Sequence, residues 1–353
     1  MCDEVDEGEK FIRALEQFKQ RHGYGAEYAF RFQDQFLREM GTESHASLMN
    51  LLELRRHLKA QYLSVISNSP YIRNGSHVVE SGLGAITKTL AFPPAFHDVR
   101  IWALFNALQA GSSAYAQREL PAYQEESVLN GGLFGQIGGM SISWSDDIAQ
   151  IMAPKCEGAF FSKIDLQIKG REQKTGGDTA VFIEWEHEDG YVRTVPLILQ
   201  AKRFFEELSD ISQKNGDVYQ FHTLRDYSLP SAYMFFQNAK DRRIENPLPP
   251  LVVSSAHIPM ADHPRTVSAL TNSLPLAHYV LRLMAEASEE HRFDSPGDAV
   301  RAMAANVDPT DLINVIVLST QRDAEYRFDQ AWAEYLIEND YREAPRKFGD
   351  FGG

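Results

Sequence analysis

The chain has 353 residues, 43% apolar and 24% charged, the composition expected of a soluble globular protein with material for one large core or two domains. Lysine and arginine number 35 against 49 aspartates and glutamates, a net charge of −14, which excludes nucleic-acid binding by bulk charge while leaving a local basic patch open. Two cysteines, Cys2 and Cys156, exclude a disulfide scaffold and a cysteine-rich zinc site, and no apolar run approaches the ~20 residues that span a bilayer.

Residues 1–8 read as an acidic tail, the opposite of a secretory or transit leader, so the expected compartment is the cytoplasm. Residues 9–120 carry a helical pattern: Phe11, Leu15 and Phe18 recur at helical spacing, as do Leu48, Leu51, Leu52, Leu58 and Tyr62, and a further helix is expected from His97 to Ala110. After Pro121 the texture changes. Residues 123–137 read as a short helix, Ala159–Lys169 alternates as a half-buried strand, and Thr179–Glu186 and Thr194–Lys202 follow as a second and third strand. Asp217–Asp226 reads as a helix with Asp217 as its N-cap, and Ala232–Gln237 as a compact apolar strand. Further on, Leu251–Ser254 and Ile313–Leu318 look like buried strands, and Pro275–Ala287 and Asp329–Ile337 like helices. The expected organisation is an α/β protein with a helical region at 9–120, a core at 121–258 and an α/β extension at 259–353.

The chemistry-bearing residues concentrate at one end of the second and third strands. Gly176-Gly177-Asp178 opens the one and Gln200-Ala201-Lys202 closes the other; strand side chains alternate, so Gln200 and Lys202 point the same way. A two-residue turn at Asp189-Gly190 would pair Asp178 with Ala201. A three-residue turn, Glu188-Asp189-Gly190 with Gly190 left-handed, would pair it with Gln200. The second register converges a carboxylate, an amide oxygen and an ammonium. Two or three oxygen donors suit a hard divalent cation, and a nearby ammonium can align a water and offset charge on a phosphoryl oxygen. Glu126 shares a helical stripe with Leu129, Leu133 and Ile137, whereas Glu125 points off it, so Glu126 can bring a further carboxylate to the sheet. Gly131-Gly132 weakens that helix but allows close approach to the sheet.

A helix with a glutamate, a GxD strand, a QxK strand, then helix and strand resembles the PD-(D/E)xK nuclease superfamily. The succession Glu172-x-x-Thr175-Gly176-x-Asp178, Gln200-Ala201-Lys202-Arg203, Gln220 and the strand AYMFFQN is similar to an uncharacterised prokaryotic family of restriction-endonuclease-like proteins, for which roles in defence against phage are suspected. The resemblance covers about a third of the chain. It implies a restriction-endonuclease-like core of helix, three-stranded meander, helix and strand, and a nuclease acting on phosphodiesters of DNA with Mg2+, or Mn2+ in its place. Asp178, Gln200 and Glu126 would hold the metal and Lys202 would be the catalytic lysine; Glu172, Gln220 and Arg203 are further candidates. Gln200 departs from the usual acidic residue, and a neutral oxygen holds a cation less strongly. That departure favours the alternative, a catalytically inactive module of this fold that binds nucleic acid or a protein partner. Membranes are not among the expected partners, and the oligomeric state is left open, a homodimer included.

Lys155, Lys163, Lys169, Arg171 and Lys174 outnumber Glu157, Asp165 and Glu172, giving one stretch of positive balance that can face a phosphate backbone. His257, Asp262 and His263 lack tight metal spacing, Gly139–Ser143 misses the nucleophile elbow, and no P-loop is present.

Overall fold

The computed structural model of the protein describes residues 26–151, 158–166, 178–187, 190–215, 217–262 and 265–341, with a few isolated positions besides. The acidic tail and the Phe11–Phe18 stripe lie outside the described residues.

The N-terminal half is helical. Helix α1 (Ala26–Met40) buries Ala29, Phe32, Phe36 and Met40, one stripe of a 3.6-residue period. Helices α2 (Glu43–Leu54), α3 (Arg56–Asn68), α4 (Gly75–Glu80) and α5 (Leu83–Leu90) follow. Thr42 caps α2 by accepting the His45 N–H at 3.3 Å, and Asp98 caps α6 (Val99–Arg118) by accepting the Arg100 N–H at 2.8 Å. The sequence of α6, mostly apolar or small on every side, is that of a helix enclosed by others, and it is buried from Ile101 to Ala116. Helix α7 (Glu126–Ile151) lies against it and continues well beyond the expected end at residue 137. The expected stripe is buried: Leu129, Leu133 and Ile137. The close approach foreseen at Gly132 is to α6, where a Cβ would come within 2.9 Å of the Tyr115 ring, whereas Gly138 meets the sheet, 2.7 Å from the Phe161 ring by the same measure.

The sheet has seven strands in the order β1-β11-β2-β3-β7-β8-β10. These are β1 (Phe160–Ile164), β2 (Asp178–Glu186), β3 (Val192–Phe204), β7 (Ser231–Gln237), β8 (Leu251–Ser254), β10 (Leu274–Pro275) and β11 (Leu312–Ser319). The short strands β4 (Leu208–Asp210), β5 (Lys214–Asn215), β6 (Val218–Tyr219) and β9 (Thr266–Ser268) form two small ribbons beside it. The expected meander is corrected at its first step. Strand β11 separates β1 from β2, antiparallel to the former and parallel to the latter. Its INVIVL sequence, apolar but for Asn314 and without alternation, suits a place covered on both faces, while half-exposed β1 suits the edge. The region read as a C-terminal extension thus supplies an interior strand.

Three more helices complete the fold: α9 (Leu276–Glu286), α10 (Pro296–Asn306) and α11 (Ala324–Glu338), preceded in the chain by α8 (Gln220–Asp226). Thr179 faces α7, whose Asn130 amide donates to its hydroxyl at 3.2 Å; Phe182, on the other side, meets Phe328 and Trp332 of α11. Beside Phe182, buried Glu184 takes a bidentate pair from Arg327 at 2.8 Å. The protein is therefore α/β, a mostly open mixed sheet flanked by helices. Asp217 is not the cap of α8: Val218 and Tyr219 pair with Asn215 and Lys214, and the helix begins at Gln220. No helix among the described residues is long and apolar enough to cross a membrane.

Candidate active site at the open end of the central hairpin

Strands β2 and β3 pair from Glu186 with Val192 to Thr179 with Leu199, so Asp178, one residue on, stands opposite Gln200. The turn explains the register. Gly190 lies at φ +82°, its N–H goes to His187 O at 2.9 Å, and the His187 N–H goes to Tyr191 O at 2.8 Å. This is the three-residue alternative; Glu188 and Asp189 lie outside the described residues.

Beyond Gln200 the described β2 no longer runs beside β3. The even-numbered residues of β3 bond toward β7, as Ile198 N–H to Pro230 O and Phe204 O to Asn238 N–H show, so the Arg203 N–H is directed to the side where β2 has ended. Glu126, the first residue of α7, accepts it through Oε1 at 3.3 Å. A carboxylate is well placed there, because the helix N-terminus carries partial positive charge. The other oxygen, Oε2, lies 3.5 Å from Lys202 Nζ. The Lys202 side chain is 5% exposed against 31% for Glu126, so the pair joins a buried ammonium to a half-exposed carboxylate.

Lys202 Nζ also donates to Gln213 Oε1 at 2.6 Å. The Gln213 carbonyl accepts the Gln220 N–H at 2.9 Å, and Gln220 Oε1 accepts from Gln200 Nε2 at 2.9 Å. Gln200, Gln220, Gln213 and Lys202 thereby close a ring across β3, α8 and the segment between β4 and β5. In that ring the side-chain amide of Gln200 is held in place by its bond to Gln220. The ring opens onto a groove of about 610 Å³ lined by Glu126, Lys202, Arg203 and the segments 204–213 and 238–242. Buried Asn238 ties the groove together, donating to Leu120 O at 2.9 Å and Ala122 O at 2.7 Å and accepting the Gln124 N–H at 3.1 Å.

Of the residues read from the sequence, Glu126, Gln200, Lys202, Arg203 and Gln220 come together here. Asp178 is described by its backbone place opposite Gln200, and Glu172 lies outside the described residues. Of the five cations around the first strand only Lys163 is described; it is exposed on edge strand β1, with β11 and β2 between it and β3. Sequence reasoning missed Gln213, which sits in a polar run without periodicity. It also gave no role to Asn238, although the AYMFFQN strand ends on it.

Among the described residues no group of three or more His, Cys, Asp or Glu side chains is gathered as for a metal ion. The donor groups described, the Glu126 carboxylate and the Gln200 amide, carry hard oxygens, and the backbone of Asp178 stands at the neighbouring strand start. Oxygen donors of this kind are the ligand type of Mg2+ and Mn2+ rather than of zinc. The chain matches no family model, no curated protein and no solved structure.

Proposed function

We propose that the protein is a Mg2+-dependent nuclease that hydrolyses phosphodiesters of DNA, built on a restriction-endonuclease-like core. The element order α7, β1, β2, β3, α8, β7 supports this reading of the fold, with the short strands β4, β5 and β6 between β3 and α8 and with β11 inserted into the sheet. The observation that carries the function is the grip on Lys202. Its buried amine is held by Glu126 and Gln213 at the strand end that begins opposite Asp178.

In this reading Glu126, Asp178 and Gln200 hold the cation. When bound, the cation acidifies water and offsets charge on the phosphoryl oxygens. Lys202 donates hydrogen bonds to the attacking water or the phosphoryl oxygen, and its charge acts strongly because its own side chain is almost wholly buried. Gln213 keeps that ammonium on target, and Gln220 keeps the Gln200 carbonyl turned to the cation. A role in defence against phage belongs to the same proposal and rests on the resemblance alone. The test is cleavage of labelled DNA with Mg2+ or Mn2+. The wild type should cut, and Asp178→Ala and Lys202→Ala should abolish cutting; a pure wild-type protein inert toward DNA contradicts the reading.

One observation favours a second reading, a non-catalytic module of the same fold. Lys202 already has two acceptors, and Gln200 is neutral. Such a module binds DNA or a protein partner without a divalent ion and keeps that binding in Lys202→Ala.

A further inference from the structure

The groove beside Lys202 has a character that hydrolysis alone does not require. The Arg203 guanidinium sits over the Tyr123 ring, 4.8 Å from its centre, and the Arg242 guanidinium over the Phe205 ring at 4.2 Å. Leu208, 57% exposed, belongs to the same lining, and Lys240 adds a further cation. The wall carrying Lys240 and Arg242 is strapped at both ends to the 120–124 segment, by Asn238 at one end and by the Ile244 N–H to Pro121 O at 3.3 Å at the other. In a chain of net charge −14, the groove gathers Lys202, Arg203, Lys240 and Arg242 against Glu126, Asp210 and Asp241, a local balance of +1, with Glu126 paired to Lys202 and Arg203.

We infer that this groove takes a single strand of DNA rather than a duplex. The inference rests on the site read above as the place where a DNA backbone meets Lys202, and it adds the form of that DNA. Unpaired bases offer faces that stack on aromatic rings and guanidinium planes, and the groove is lined by the Arg203 guanidinium and by the Arg242–Phe205 pair. A duplex keeps its base faces stacked inside and carries about one charge per 1.7 Å, so an acidic protein repels it more than a single strand. Reaching Lys202, whose side chain is almost wholly covered, also requires the backbone to descend into the groove, which a lone strand can do without the bulk of its complement.

The experiment is fluorescence anisotropy in EDTA with a labelled single-stranded oligonucleotide and the blunt duplex of the same sequence, at about 50 and 200 mM salt. The single strand should bind at least about tenfold tighter. Arg242→Glu and Phe205→Ala should each weaken it about tenfold, and Arg242→Glu should lower the salt slope by roughly 1. Unchanged urea midpoints and circular dichroism keep folding out of the comparison, and exposed Lys240→Glu serves as a second variant with the same expectation. Duplex bound as tightly as the single strand, or all three variants indistinguishable from wild type, overturns the inference. Cleavage distinguishes the two claims. Single-strand preference without Mg2+-dependent cutting upholds the groove and removes the hydrolase, whereas Lys202-dependent cutting without that preference removes the groove and leaves the hydrolase.

Discussion

The Glu126 carboxylate spans the end of β3, with one oxygen 3.5 Å from the Lys202 ammonium and the other on the Arg203 N–H at 3.3 Å. The two partners are unequally exposed, so their loss is unequal. Glu126→Ala leaves a buried ammonium with Gln213 alone and should cost about 3 kcal/mol, whereas Lys202→Met removes the buried charge together with its need for a partner and should cost less. The double variant should fall short of the sum by about 0.5–3 kcal/mol in urea unfolding. Additive costs mean that the pair is not coupled.

Gln213 is exposed, yet its Oε1 lies 2.6 Å from the buried Lys202 Nζ. Gln213→Ala takes the nearer acceptor from a buried ammonium, so it should cost about 1–3 kcal/mol and lower DNA cleavage about 10- to 100-fold, the usual scale for a residue that orients another at a site. Cleavage at the wild-type rate removes Gln213 from the account.

Two histidines in the helical half set an acid limit. Burial lowers His278 to about 3 and His45 to about 4 from the usual 6.5; His278 lies between Tyr62 and Phe105, ring centres 4.2 and 5.0 Å away. Below pH 6.5 the unfolded chain takes up protons that the folded chain refuses, so stability is full above about 6.5 and declines as pH falls toward 4. The combined effect is on the order of several kcal/mol. Urea unfolding across this range should show the decline, and His278→Leu should flatten it; the same slope in both proteins contradicts the assignment.

The α6–α7 contact admits a matched pair of glycine variants. A Cβ on Gly111 would lie 2.9 Å from the Ile137 Cα, which is backbone and cannot step aside, whereas one on exposed Gly135 meets nothing within 4 Å. Gly111→Ala should destabilise by about 1–3 kcal/mol, and Gly135→Ala should stabilise by roughly 0.5–1 kcal/mol through helix propensity. Urea midpoints moving in the same direction refute the packing.

What the sequence revealed was local. The register of β2 on β3 is written in a turn ending on Gly190, and the approach of Glu126 to the sheet in the period of Leu129, Leu133 and Ile137. The place of β11 was not legible, because Ile313–Leu318 pairs with strands more than a hundred residues away and an apolar run states only that it is buried. Asp217 misled for a related reason. An aspartate before an apolar stretch is an ordinary cap, but Val218 and Tyr219 are drawn into a ribbon by Lys214 and Asn215. Gln213 entered the site through that same ribbon, whose pairing nothing in its polar sequence announces.

The central claim is that Asp178, across from Gln200, completes an oxygen site for a divalent cation next to Lys202. Calorimetric titration of Mg2+ and Mn2+ into the wild type and Asp178→Ala tests it most directly. The account predicts saturable binding near one ion per chain in the wild type and its loss in the variant. Equal heats in the two proteins, or none in either, would contradict it.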